Sequence, residues 1–113
     1  MTDLTDTEIV AACARAMGLR TFGANNSLFP KAILVTEPSL HVYAPLDDRA
    51  QASELQEKLR MNVRYTNQWI ASCWITGTKT GMAIQVEADH PTNMLRSICL
   101  CAARVQIEKE KNA

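Results

Sequence analysis

The chain has 113 residues, of which 47% are hydrophobic and 21% are charged, as is typical of one globular domain with its own core. Twelve Lys and Arg residues balance twelve Asp and Glu residues, so no overall positive charge attracts a nucleic-acid backbone, and nucleic acid is not an expected partner. The N-terminal sequence lacks a secretion signal, and no apolar stretch is long enough for a membrane span. We therefore expect a single cytoplasmic domain over residues 1–113 with no membrane partner.

The spacing of apolar residues predicts a first helix over residues 5–18. Thr5 and Glu8 have the spacing of a capping box, and Gly18 is a typical residue just after a helix end. An irregular, Pro- and Asn-rich stretch follows, and it contains the apolar run 32–36, which we predict to be a buried strand. Residues 40–44 alternate in polarity and predict a second strand, and the TEPSL sequence between the two predicts a hairpin.

Residues 45–63 predict a well-delimited amphipathic helix. Asp47 or Asp48 can cap its N-terminus, Leu55 lies in its apolar stripe, and Asn62 is acceptable as a left-handed terminating residue. Strands are then predicted over 63–66, 68–76 and 82–88, the last two joined in a hairpin by the turn GTKTG.

A final helix is expected to open at Asp89, with Pro91 at or near its first position, and its apolar stripe extends to Val105. The order of elements predicts an α/β (α+β) fold, in which a mostly antiparallel sheet of about four strands and three helices form a layered sandwich.

Four cysteines are present, at Cys13, Cys73, Cys99 and Cys101. All four lie among apolar neighbours, and Cys99 and Cys101 lack the CxxC spacing of a metal or redox site, because side chains two apart on a helix diverge. We expect reduced, buried structural thiols and neither a metal nor a cofactor. A Cys–His nucleophile would require His41 or His90 beside a thiol, and His90 is more simply a residue at a helix entry.

Several short patterns together resemble a family of small bacteriophage-encoded proteins with an α–β–α sandwich fold. The first pattern is the opening TEIVAACARAMGL. The second is an aromatic residue before a proline and two acids, at Tyr43, Pro45, Asp47 and Asp48, and it is followed by a helix and a short strand with Ala52, Leu55, Lys58, Leu59 and Val63. The last is the final helix, with Arg96, Ile98, Ala102 and Ala103. The resemblance covers most of the chain. It implies a phage or prophage origin, a location in the host bacterial cytoplasm and an accessory role, but no specific activity.

The aromatic residues of the predicted hairpin give the strongest functional indication. Trp69 and Trp74 are an odd number of residues apart, so they point to opposite faces of an unbroken strand. Both are core if helices cover both faces of the sheet; if one face is open, one of them belongs to an apolar patch that a second copy of the chain could cover. The candidate interaction surface comprises Arg64, Tyr65, Trp69 and Trp74.

The leading hypothesis is a non-enzymatic protein that acts by binding a protein partner, with itself as one possible partner. Two alternatives stay open. A pocket lined by several arginines and an aromatic residue would favour a small-ligand protein that binds a nucleotide signal in counter-defence. A cleft with a strongly perturbed acid or thiol would favour a small enzyme.

Overall fold

The computed structural model describes residues 4–21, 33–39, 41–75, 81 and 83–111. Within these ranges the chain forms three helices and six strands, and the strands make two separate three-stranded antiparallel sheets. The helices are α1 (Asp6–Ala16), α2 (Arg49–Lys58) and α3 (Met94–Lys111). The strands are β1 (Arg20–Thr21), β2 (Ile33–Glu37), β3 (His41–Tyr43), β4 (Asn62–Tyr65), β5 (Trp69–Ile75) and β6 (Ile84–His90). The fold is therefore α+β, with two three-stranded sheets in place of the expected single sheet of about four strands.

The first sheet has the order β1–β2–β3 and contains the predicted hairpin. In β3 the buried side chain is Tyr43, which pairs with Ile33 across the hairpin, whereas Val42 is 48% exposed. The alternation in the sequence thus assigns Val42 and Tyr43 correctly to opposite sides of β3. The side of the strand that carries Val42 faces outward, although it is apolar in sequence. The first predicted residue of each strand, at positions 32 and 40, lies outside the described residues.

The ends of α1 are those that its sequence predicts. Thr5 accepts a hydrogen bond from the backbone N–H of Glu8, while the Glu8 carboxylate accepts one from the Thr5 N–H, which completes the capping box. At the other end Gly18 has a φ of 71°, and the N–H of Leu19 bonds to the carbonyl of Ala14, a pairing typical of a helix that ends in a left-handed residue.

Helix α2 is shorter than predicted. Asp48, rather than Asp47, caps it by accepting hydrogen bonds from the N–H groups of Ala50 and Gln51. The left-handed residue after it is Arg60, with a φ of 53°, and Asn62 instead begins β4.

Helix α3 begins at Met94, three residues after the expected first position near Pro91. Asp89 belongs to β6, and the ring Nδ1 of His90 accepts the backbone N–H groups of Thr92 and Asn93. The Asn93 side chain then accepts the N–H of Arg96 in the first turn of the helix. The expectation that the helix opens at Asp89 is therefore wrong, whereas the position of His90 at a helix entry is confirmed.

Helix α3 lies at the centre of the molecule and packs against α1, α2, β5 and β6. Arg96 near its start pairs with Asp6 near the start of α1, and Glu110 near its end pairs with Arg15 near the end of α1, so the two helices run in the same direction. The Cys13 thiol contacts the carbonyl of Cys99 between the two helices, and several small residues of both helices are fully buried, namely Ala12, Cys13, Ala14, Cys99, Ala102 and Ala103. Small side chains let the helices approach closely, and α3 then covers one face of the second sheet.

Candidate interaction surface

The two faces of the second sheet differ sharply in burial. Its order is β4–β5–β6, so β5 is the central strand. Ala71, Cys73 and Ile75 on one side of β5 are buried where α3 packs. On the other side Ser72 is buried, but Trp74 is 62% exposed. One face of the second sheet is therefore open, and one of the two tryptophans lies on it.

The strand register fixes which side chains share that open face, because residues paired across an antiparallel sheet point to the same side. Three rows result, and together they define the open face: Arg64, Ile70 and Asp89 in the first row, Asn62, Ser72 and Glu87 in the second, and Trp74 and Gln85 in the third. All except Ile70 and Ser72 are exposed. The open face is thus a polar surface with one tryptophan in its central strand, and not the apolar patch that the sequence led us to expect for an open face.

The four residues of the predicted surface do not form one patch. Arg64 and Trp74 lie on the open face, whereas Tyr65 and Trp69 pair with each other on the opposite side of the sheet. Their rings lie 5.0 Å apart at an angle of 55°, a tilted contact that is favourable between aromatic rings. Tyr65 and Trp69 also line a shallow hollow of about 370 Å³ with Pro91 and Thr92.

Sequence reasoning missed the polar part of the open face. Asn62, Glu87 and Asp89 join Arg64 and Trp74 there only through the register of three strands. Alternation in residues 82–88 does place Glu87 on the polar side of its strand, but it cannot show that this side is also the side of Trp74. The sequence favours a helix cap at Asp89, whereas the structure places this residue in β6.

A second concave region lies between β6 and α3. This groove of about 810 Å³ has an apolar floor that includes Val86 and Leu100, and three cations line it, at Arg96, Arg104 and Lys111. Arg96 is paired with Asp6, and Arg104 donates to the backbone carbonyl of Glu87 at 2.8 Å. The described residues that line the groove include no aromatic side chain, so it lacks the base-stacking surface that would favour a nucleotide ligand.

All four cysteines are free thiols, and all four are buried. The Cys13 thiol donates to the carbonyl of Cys99 at 3.3 Å, and the contact with Cys99, together with burial, holds the pKa of Cys13 well above its usual value. Burial likewise raises the pKa of Cys73, and it raises that of Cys101 to about 12. These groups are thiols rather than thiolates at neutral pH, and the thiolate is the nucleophile and the metal ligand.

Among the described residues no group of three or more His, Cys, Asp and Glu side chains is placed to hold a metal ion. No described helix combines the length and the apolar character needed to span a bilayer.

Comparison of the chain with protein-family models, with curated proteins and with solved structures finds no match. The open face and its chemistry are therefore the basis for a functional proposal.

Proposed function

We propose that this protein acts by binding protein rather than by catalysis, and that its open face associates with the open face of a second copy. The observation that carries the proposal is the position of Trp74. It is 62% exposed in the central strand of a sheet whose other face is packed against α3. Tryptophan and arginine are enriched in the core of protein interfaces relative to the rest of the surface, and Trp74 shares its face with Arg64.

The free energy available from Trp74 supports a weak complex. Its exposed fraction corresponds to about 150 Å², which is worth about 4 kcal/mol per chain at ~25 cal/mol per Å² when fully covered. Two such side chains give about 8 kcal/mol, comparable with the cost of association of about 4–15 kcal/mol. The face itself measures about 14 by 24 Å, which is smaller than a standard interface of about 800 Å² per partner. At the lowest cost of association the tryptophans leave about 4 kcal/mol, which corresponds to a dissociation constant of about 1 mM. We expect a lower value, down to about 1 μM, where polar contacts across the face add to the tryptophans.

Sedimentation equilibrium over that concentration range tests the proposal. The average mass of the wild-type protein should rise from one chain towards two, and Trp74→Ser should remain at one chain. Tyr65→Ser is the matched control, because Tyr65 is 58% exposed but lies on the other side of the sheet. A wild-type mass that stays at one chain up to about 1 mM contradicts the proposal, as does an effect of Tyr65→Ser equal to that of Trp74→Ser.

The biological setting rests on the sequence resemblance alone. A phage or prophage accessory protein in the host cytoplasm stays a prediction, and a self-associating binding module fits it. A pull-down from phage-infected cells with wild-type and Trp74→Ser proteins would identify any further partner that uses the same face.

A further inference from the structure

The charges of the open face are separated onto opposite edges of the sheet. Arg64 lies on β4, whereas Glu87 and Asp89 lie on β6, and β5 runs between them. Arg64 and Asp89 occupy the same row, since both are in register with Ile70. One edge of the face is therefore positive and the other negative at the same height along the strands.

Two identical faces can pack through a twofold axis that lies in the plane between them, and its direction decides which charges meet. An axis across the strands, level with Ser72, places Glu87 over Glu87 of the second copy and gives Arg64 no acid to face. An axis along β5 places β4 of each copy over β6 of the other. Arg64 then faces Asp89, Asn62 faces Glu87, and Trp74 faces Trp74 of the second copy.

We infer that the dimer uses the axis along β5, with two reciprocal pairs between Arg64 of one copy and Asp89 of the other. This inference rests on the proposed self-association. Stacked sheets lie about 10 Å apart, a distance that an arginine and an aspartate side chain span together. The carboxylate of Asp89 is held in place by a hydrogen bond from the Gln68 side chain at 2.8 Å. Like charges brought together in the other arrangement oppose it.

Charge reversal in one and then both positions tests this arrangement. Within one copy Arg64 and Asp89 are separated by a whole strand, about 10 Å, so their own interaction is largely screened at physiological salt. Between copies, either Arg64→Asp or Asp89→Arg turns two attractions into two repulsions. Each single variant should weaken the dimer at least about tenfold in sedimentation equilibrium. The double variant, which restores opposite charges, should return to within about threefold of wild type.

Glu57→Arg changes the net charge by the same amount as Asp89→Arg and provides its control, because Glu57 is exposed on α2 and lies outside the open face; it should leave the dimer unchanged. A double variant that is no tighter than the single variants overturns the axis along β5, as do single variants that associate like wild type. In both cases the wild-type dimer itself still stands. A wild-type protein that stays monomeric instead overturns the proposed function and this inference together.

Discussion

A thiol-specific reagent added to the folded protein is expected to find almost no reactive cysteine. Burial raises the pKa of the Cys101 thiol to about 12, so at about pH 8 roughly one molecule in ten thousand carries the thiolate there. An exposed cysteine with a pKa of about 8.5 is about one quarter thiolate at that pH. The difference in reactive form alone is about 2,000-fold, and burial also blocks access of the reagent.

The assay is the release of the coloured thiolate from an aromatic disulfide reagent, followed with and without denaturant. The four cysteines of the chain should react slowly in the folded protein and rapidly after unfolding. Ser53→Cys, on the exposed side of α2, supplies a matched surface thiol in the same protein. A native cysteine that reacts within about tenfold of the Ser53→Cys thiol would refute the reasoning and would revive the hypothesis of a cysteine enzyme.

Three further predictions concern stability. Above about pH 8.5 the unfolded chain releases thiol protons that the folded chain retains. The free energy of unfolding should therefore fall by about 1.4 kcal/mol per pH unit for Cys101 alone, up to its folded pKa of about 12. Urea titrations of Cys101→Ala should show a shallower fall with pH, and an unchanged slope would contradict this. Arg60→Gly should raise the free energy of unfolding by about 0.5–1 kcal/mol, because Arg60 has a φ of 53°, whereas Ser53→Gly in the middle of α2 should lower it. His90→Ala should lower it by about 1 kcal/mol, because the ring accepts two backbone N–H groups at the entry to α3; His90→Asn keeps an acceptor and should lose less, and equal losses would argue against this role.

The helices were largely predictable because their signals are local. Thr5, Glu8 and Gly18 act within a few residues of their own positions, and the structure uses each as predicted. The start of α3 was not predictable in this way. Asp89 and His90 fit a cap by residue type, but pairing with β5 extends the strand through both of them, and the Asn93 side chain takes over the capping role expected of the Asp89 carboxylate.

The arrangement of the strands was less accessible, because it depends on pairing between distant segments. β1 consists of only Arg20 and Thr21 and is defined by its pairing with β2, so no local sequence pattern predicts it. Alternation along β5 shows that Trp69 and Trp74 lie on opposite sides, yet it cannot say which side a helix covers. That answer depends on where α3 packs, and the polar residues around Trp74 come from two other strands.

The most direct test of the central claim follows the surroundings of Trp74 as the protein concentration rises. The chain has two tryptophans, so Trp69→Phe leaves Trp74 as the only one. At about 1 μM its fluorescence should resemble that of a water-exposed indole, and it should shift to shorter wavelength towards about 1 mM as the open faces meet. Emission that stays at its solvent-exposed position up to about 1 mM, or that is already shifted at the lowest concentration, would contradict a Trp74 that is exposed in the monomer and buried between two copies.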